Sequence, residues 1–337
     1  MKRNYITVKN YGIKVLLCIA FILLNETCFA QDSTSISQKA AAYITDKFPR
    51  TRVLYIEHQQ RSNHQFEITP LNGNSSEHKF TNLNQTRVTA NISLIQEKKW
   101  ILSSSLNYNY QSTTAMLTAN NPEQNTILKN GNHFLRGAVN YTYFSTLKNK
   151  PIFYNTTVAV DGSDKGVERL KGLLSATWLL KANRTTKMSV GIVAIVDPSA
   201  QTPVIPTFAY EKKFEKSWAL DLILPQRIML KKDISSNGRI SFGSELEGSS
   251  FYLYNNIQGL NKTHEFRQVE INSGATYEHH LGGSLIATFK SGLKSIPTSR
   301  IFEKRASFDK YIIELKPNSS FYFNMGISFN PFGKRKI

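Results

Sequence analysis

Charged residues alternate with apolar ones in a short segment near the middle of the chain. Arg227, Met229 and Lys231 occupy every second position, with Ile228 and Leu230 between them. In an extended strand, this spacing places the two cations on one face and the apolar side chains on the other. Cations lining the interior of a pore favour the entry of anions. The spacing therefore predicts a basic, anion-preferring interior.

Carboxylates on equivalent positions provide an alternative. Asp221, Glu245 and Glu247 lie on the polar side of their own alternating segments, as does Arg136. If all these side chains face one interior, the carboxylates pair with the cations and fill it as a plug. The sequence does not give the register between strands, so both alternatives remain open.

Other chemistry finds little support in the residue pattern. His279 and His280 are adjacent, so on a strand they point to opposite faces and cannot chelate one metal ion together. The chain has no Gly-rich phosphate loop and no nucleophile-elbow motif. We therefore predict no catalytic residue, no cofactor and no metal. A membrane-embedded lipid hydrolase using His133 or His280 with a nearby serine is the least favoured alternative.

The oxygen-rich segment DGSDKG, which begins at Asp161, lacks the acidic spacing of a calcium loop. It predicts a tight external turn.

The elements that carry these residues are predicted to be β-strands, because apolar and polar residues alternate along most of the chain. In SSLNYNYQS, Leu106, Tyr108 and Tyr110 share one side, and the intervening residues are polar. Period two is the pattern of a strand with one apolar face. It recurs in the segments Leu135–Ser145, Ile152–Val160, Leu174–Leu180, Trp218–Leu224, Arg239–Leu246 and Phe321–Phe329.

The connections between these segments predict the architecture. Short polar breaks, predicted to be hairpin turns, begin at Glu97, Lys148, Ala182, Glu215 and Ser235. Two longer polar segments, Thr113–Asn132 and Lys294–Asp309, are predicted to be loops. Tight turns on one rim and longer loops on the other are typical of an antiparallel transmembrane β-barrel. We expect about 12 strands within a range of 10 to 16.

One segment makes the strand count uncertain. Trp218–Ile234 forms either one long strand with a bulge around Pro225 or two short strands.

Aromatic residues mark one rim of this barrel. Trp100 and Trp218 each follow a tight charged turn, and Phe214 precedes the second of these turns. Amphipathic rings collect where a membrane meets water, so these three residues are predicted interface aromatics. The alternative is that they are core aromatics of a soluble β-sandwich.

The amino terminus has the features of an export signal. Basic residues precede the apolar run Val15–Leu24, and a cleavage site follows at Ala30. We predict a signal peptide over residues 1–30, a periplasmic lead-in over 31–49 and the barrel over 50–337. Both cysteines, Cys18 and Cys28, lie in the signal, and a mature chain without cysteine favours a bacterial envelope.

Three segments resemble a known group of sequences: VDGSDKG (Val160–Gly166), VDPSAQTPVIPTFAYEKKF (Val196–Phe214) and LPQRIMLKKDISSNGRISFG (Leu224–Gly243). With them the chain resembles a family of uncharacterised outer-membrane β-barrel proteins from Gram-negative bacteria. The resemblance implies the fold and an outer-membrane location, and it implies no activity. The chain departs from typical outer-membrane barrels at its end, where GKRKI follows Phe332 instead of a terminal aromatic.

The net charge bears on partners. The chain carries +18, of which residues 1–30 contribute +3 through four basic residues and one acidic residue, so +15 remains. No nucleic-acid-binding motif accompanies this excess, and the cations are dispersed over turns and strand ends. We expect outer-membrane lipid, lipopolysaccharide and the barrel-assembly machinery as partners, and no nucleic acid.

The predicted role is porin-like passage of small solutes. The main alternative is a soluble periplasmic or surface β-protein that binds a ligand.

Overall fold

The computed structural model describes residues 48–49, 51–118, 125–254 and 263–330. The predicted signal peptide, and the lead-in before Phe48, lie outside them. None of the described residues forms a helix long and apolar enough to cross a membrane. Strands follow one another along the described chain: β1 (Leu54–Arg61), β2 (His64–Pro70), β3 (Ser76–Gln96), β4 (Trp100–Leu117), β5 (Thr126–Leu147), β6 (Lys150–Ser163), β7 (Gly166–Ala182), β8 (Thr186–Val196), β9 (Val204–Lys213), β10 (Trp218–Leu224), β11 (Arg227–Asp233), β12 (Gly238–Tyr254), β13 (Thr263–Gly282), β14 (Leu285–Glu303), β15 (Tyr311–Pro317) and β16 (Ser320–Phe329).

The strands close into an antiparallel barrel. β1 pairs with both β3 and β16, which joins the two ends of the sheet. β1 and β2 pair with successive parts of β3, so together they form one interrupted strand. In the same way, β15 and β16 pair with successive parts of β14. β2 and β15 also pair with each other. The wall therefore has 14 strands, with short breaks at Ser62–Asn63 in the first and Asn318–Ser319 in the last.

The expected number of about 12 strands is corrected to 14. Trp218–Ile234 forms two short strands joined at Pro225–Gln226. The two predicted long loops are mostly strand, because β4 continues to Leu117 and β14 continues to Glu303. Polar residues such as Lys294 and Ser299 are enclosed on the interior face, so polarity alone does not mark a loop in this barrel.

The two rims differ in their connections. Leu54 at the start of the first strand pairs with Phe329 at the end of the last strand, so both ends of the barrel chain lie at one rim, here called the termini rim. All five predicted hairpin turns are confirmed, and each lies at the termini rim. The opposite rim, the far rim, carries longer connections such as 197–203 and 304–310, but also two-residue turns at 164–165 and 225–226.

The apolar side of the strands faces outward. In β16, Phe323 is 46% exposed, whereas its neighbour Asn324 is 3% exposed. The same alternation occurs in β1, where Leu54 and Ile56 are exposed and Glu57 is buried. Because the enclosed residues are polar, the interior of the barrel is a polar lumen and not a hydrophobic core.

The height of the barrel wall varies, because its strands differ in length. β10 and β11 have seven residues each, whereas β12 has 17 and β13 has 20. The turn at Pro225–Gln226 lies beside the middle of β12, where the Leu246 amide donates a 2.7 Å hydrogen bond to the Gln226 carbonyl. Beyond this point, β12 has no partner strand on that side among the described residues.

The free end of β12 leans into the lumen. Tyr252 belongs to the outward series of β12, with Phe242 and Leu246, yet it is only 2% exposed. Its ring stacks at 6.3 Å from Phe134, which lies on the interior face of β5. Tyr254 follows the same path and donates a 2.8 Å hydrogen bond to Glu168 of β7. The end of β12 therefore crosses the far half of the lumen.

Candidate functional site: the charged lumen

The six charged residues singled out in the sequence all lie on the interior face. Four of them meet at one place: Asp221, Arg227, Lys231 and Glu245. Asp221 accepts a hydrogen bond from Arg227 and forms an ion pair with Lys231 at 2.6 Å. Glu245 lies 3.9 Å from Arg227. Here the structure has the ion-paired arrangement.

The other two predicted residues belong to different groups. Arg136 lies 3.6 Å from Asp161, and Glu247 pairs with Arg87 at 2.8 Å. Arg87 also lies 3.4 Å from Glu57, which accepts a 2.9 Å hydrogen bond from Asn324. Arg87 and Glu57 were not predicted from the sequence, although both lie on the polar side of alternating strands.

A pair in the middle of the barrel is almost completely buried. Lys294 of β14 donates to Glu270 of β13, and both side chains are about 98% enclosed or more. Ser249 and Gln268 also donate to Glu270, at 2.9 and 2.6 Å. A buried ion pair is tolerated when further hydrogen bonds satisfy its remaining polar atoms, as they do here.

A third group closes the far half of the lumen. Arg169 of β7 contacts Asp197 at 2.5 Å and also pairs with Glu265 of β13. Arg267 pairs with the same two carboxylates, lying 3.2 Å from Asp197. Lys171 pairs with Asp161 at 2.6 Å and lies 3.8 Å from both Asp197 and Glu265. We call these residues (Asp161, Arg169, Lys171, Asp197, Glu265 and Arg267) the far cluster.

The far-rim connection 197–203 is tied into this cluster. Ser199 is fully enclosed; its hydroxyl accepts from Arg169 at 2.7 Å and donates to the Ala306 carbonyl at 2.6 Å. The Ser199 amide donates a 2.9 Å hydrogen bond to Asp197. Burial raises the pKa of Asp197, but this hydrogen bond and the charges of Arg267, Lys171 and Arg169 outweigh it, so its pKa lies below the ordinary value. Asp197 is therefore ionised at neutral pH.

A cavity of about 510 Å³ remains in the half of the lumen toward the termini rim. Its charged lining consists of Arg52, Arg227, Lys231, Lys290, Glu245 and Glu278. Phe48, Tyr55 and Met229 give it apolar surface. Phe48 lies beside the mouth, with its ring 4.9 Å from the Arg239 guanidinium. A second cavity of about 170 Å³ shares Lys231 and continues toward the rim at Trp218.

The predicted interface aromatics all lie at the termini rim. Trp100 begins β4, Trp218 begins β10 and Phe214 directly follows β9. The Lys232 ammonium lies 5.0 Å from the Trp218 ring. Trp178 also belongs to this rim, since its indole donates a 3.3 Å hydrogen bond to the Leu147 carbonyl. The alternation in Leu174–Leu180 places Trp178 on a strand but does not predict its position at the rim.

The segment at Asp161 needs a correction. Asp161 is enclosed within β6 and pairs with Lys171; only the residues at 164–165 form the turn. The predicted turn is therefore shorter than expected, because Asp161 and Ser163 extend the strand inward along the lumen.

The two histidines considered for hydrolysis each have a hydrogen-bond partner. His133 lies 3.0 Å from the Tyr108 hydroxyl, and His280 accepts a 3.2 Å hydrogen bond from the Gly282 amide. Across the described ranges, no group of three or more His, Cys, Asp or Glu residues has the geometry to hold a metal ion.

Fold and lumen together define the class: a closed, antiparallel β-barrel of 14 strands with an apolar exterior and an ion-paired interior.

Solved structures similar to the chain include an outer-membrane channel, a toluene transporter and a FadL homologue, all from Pseudomonas species. An outer-membrane channel from Pseudomonas putida F1 matches with a TM-score of 0.35 and 9% identity, over 90% of this chain and 100% of that one. The P. putida toluene transporter TodX matches with a TM-score of 0.35 and 8% identity, over 87% and 92%. A Pseudomonas aeruginosa FadL homologue matches with a TM-score of 0.32 and 7% identity, over 85% and 91%.

Because these sequence identities and TM-scores are low, the fold is assigned from the strand pairing of the chain itself. No protein-family model and no curated protein matches the chain. The family resemblance noted in the sequence therefore stays a prediction.

Proposed function

We propose that the chain is an outer-membrane β-barrel that passes small polar solutes. The observation that carries the proposal is the inversion of ordinary burial: large apolar side chains cover the outside and charged residues fill the inside. Phe321 of β16 is 64% exposed, whereas Lys294 of β14 is 1% exposed. A water-soluble protein would expose an apolar belt of this kind to solvent at a large cost, whereas acyl chains accommodate it.

The inversion also argues against the soluble alternative. A soluble β-sandwich hides its apolar side between two sheets about 10 Å apart. In this chain the apolar series point away from the enclosed space around the barrel, for example at Leu106, Val158 and Ile228.

The contents of the lumen support gated passage, in which the barrel must open before a solute can cross it. The far cluster and the end of β12 occupy the far half, whereas the half toward the termini rim keeps its cavity. A solute entering from the termini rim passes the buried Lys294–Glu270 pair in the middle of the barrel before it meets the far cluster. We infer that opening requires those ion pairs to separate.

Location is tested by fractionation and by electrophoresis. The mature chain is expected in the outer-membrane fraction, and after detergent extraction it should migrate faster unheated than boiled. A monomer that stays dissolved without detergent and shows no heat-modifiable migration would contradict the proposal.

Passage is tested in planar bilayers with the purified chain. Discrete conductance steps are expected, with open probability that depends on the far cluster. An electrically silent protein that is correctly folded in the membrane would refute passage and leave a purely structural role.

The predicted partners fit the same arrangement. Lys129 and Lys165 are exposed near the far rim, where they would meet lipopolysaccharide phosphates. At the other rim, β16 ends at Phe329 with its ring facing outward, which offers the assembly machinery an aromatic residue at the end of the last strand. Binding of lipopolysaccharide that is unchanged when both lysines are neutralised would contradict the first assignment.

A further inference from the structure

We propose that the 510 Å³ cavity binds short zwitterionic peptides, with Glu245 receiving the ammonium group and Lys290 receiving the carboxylate. The inference deepens the proposed function by naming its substrate class, and it rests on that function for the claim that the bound molecule is cargo. Four observations carry it: the free bonding capacity of Lys290, that of Glu245, the balance of charge around them, and the apolar surface opposite.

Lys290 has an ammonium group that is incompletely used. It lines the cavity, and its side chain is 25% exposed. Its partner Glu57 lies 3.8 Å away, which is beyond hydrogen-bond distance. Glu57 already accepts hydrogen bonds from Tyr55 and Asn324, each at 2.9 Å. The Lys290 ammonium therefore keeps protons to donate to a carboxylate in the cavity.

Glu245 likewise has unused hydrogen-bonding capacity, in its case as an acceptor. It also lines the cavity, and its side chain is 24% exposed. Its neighbour Arg227 is 3.9 Å away and donates instead to Asp221. The Glu245 carboxylate therefore keeps acceptor capacity toward the cavity, where it can receive an ammonium group.

The charge balance favours a dipolar ligand over a simple ion. Of the remaining charged lining groups, Arg52 and Glu278 pair directly with each other. Arg227 and Lys231 share the carboxylate of Asp221, and Glu245 supplies the second negative charge of this group. Lys290 faces Glu57 at 3.8 Å. The charges around the cavity therefore balance, and the two groups with unused bonding capacity have opposite signs, so a ligand of a single charge is attracted by one and repelled by the other. A zwitterion gains from both.

Size and apolar lining point to a peptide and not a free amino acid. Ligand sites of about 300 to 1,000 Å³ suit molecules larger than a single amino acid, and this cavity has about 510 Å³. Phe48, Tyr55 and Met229 offer apolar contacts for side chains, and Thr276 and Ser241 offer hydroxyl groups for the peptide backbone.

The experiment uses four versions of one dipeptide. Alanyl-phenylalanine is tested with free ends, with an acetylated amino end, with an amidated carboxyl end, and with both ends blocked. Binding to the full mature chain, refolded in detergent micelles, is measured by isothermal titration calorimetry. The zwitterion should bind best, and blocking either end should weaken binding about tenfold, the value for loss of about 1.4 kcal/mol.

Two variants assign the two charges. Glu245→Gln should remove the preference for the free amino end and keep that for the free carboxyl end. Lys290→Met should do the reverse. Glu97→Gln and Lys98→Met are matched controls, because both residues are exposed in a hairpin turn at the termini rim. Heat-modifiable migration verifies that every variant is folded.

The possible results separate the two proposals. Equal binding of the acetylated, anionic peptide and the zwitterion would overturn the assignment of Glu245, and equal binding of all four forms, or of none, would overturn the inference as a whole. If the peptides bind as expected but bilayers show no conductance, the cavity is a binding site and the passage function fails. If bilayers conduct and no peptide is distinguished, passage stands without this substrate class.

Discussion

Neutralising Asp197 should open the far half of the lumen. In Asp197→Asn, the amide oxygen still accepts from the Ser199 amide, which lies 2.9 Å from the native carboxylate. What disappears is the negative charge that holds Arg169 at 2.5 Å and Arg267 at 3.2 Å. The substitution therefore weakens the attachment of the connection 197–203 without removing its local turn.

The size of the effect follows from the contacts that remain. A hydrogen bond to a charged group contributes about 1.5–3 kcal/mol. Two such contacts weaken, but Glu265 still pairs with both Arg169 and Arg267. We therefore expect a net loss of about 2–3 kcal/mol of closure free energy, which raises the ratio of open to closed molecules about 30- to 150-fold.

Single-channel recording at neutral pH measures this ratio directly as open probability. Asp164→Asn is the matched control, because Asp164 is exposed at the far rim and pairs only with Lys165 at 3.6 Å among the described residues. The control should behave as the native chain. An open probability within twofold of native in Asp197→Asn, with the protein folded, would refute the role of the far cluster in closure.

The remaining predictions concern pH, packing, the exterior and the rim. Because the pKa of Asp197 is lowered, the stabilisation of the closed state by its ion pairs is fully present above the ordinary carboxyl pKa of about 4 and is lost as the pH falls below it and through the lowered pKa, so open probability should rise only under strongly acidic conditions; opening on raising the pH would contradict this. Gly274→Ala should destabilise the barrel by about 1–3 kcal/mol in urea unfolding, because a Cβ there would lie 2.1 Å from the Ser291 carbonyl oxygen; unchanged stability would show that the β13–β14 contact yields easily. Phe323→Arg should cost about 2–4 kcal/mol of stability in vesicles, the cost of a basic residue on the lipid face near the midplane, and an unaffected unfolding midpoint would argue that this face does not meet lipid. Lipids brominated near the headgroup should quench fluorescence of Trp100, Trp178 and Trp218 more than lipids brominated at the chain ends; the reverse order would remove these residues from the interface.

Local patterns in the sequence were sufficient to predict the faces and turns of the strands. The alternation in Phe321–Phe329 correctly identified which side chains are exposed and which are enclosed, because side-chain direction in a strand depends only on parity. The five hairpin turns were likewise predicted from short polar breaks. These features need information from only a few neighbouring residues.

The closure of the far half could not be predicted in the same way. Arg169 and Glu265 are separated by 96 positions and meet only because the barrel brings β7 opposite β13. Tyr252 has outward parity, and its burial depends on the shortness of β10 and β11, which are different strands. Parity gives the direction of a side chain relative to its own strand, but not the course of that strand relative to the barrel axis.

The short hairpin β10–β11 has a consequence for the lipid around the barrel. Seven residues at about 3.3 Å each make a strand about 23 Å long, which at a tilt of about 40° rises only about 18 Å. An outer-membrane barrel usually presents an apolar band about 25 Å tall. In an outer membrane, where the proposed function locates the barrel, the bilayer beside this hairpin would become thinner by about 7 Å, and the strain of that adjustment would fall on one flank of the molecule. A neighbouring protein with a similarly short wall would relieve this strain, because the two proteins would share one region of thinned lipid.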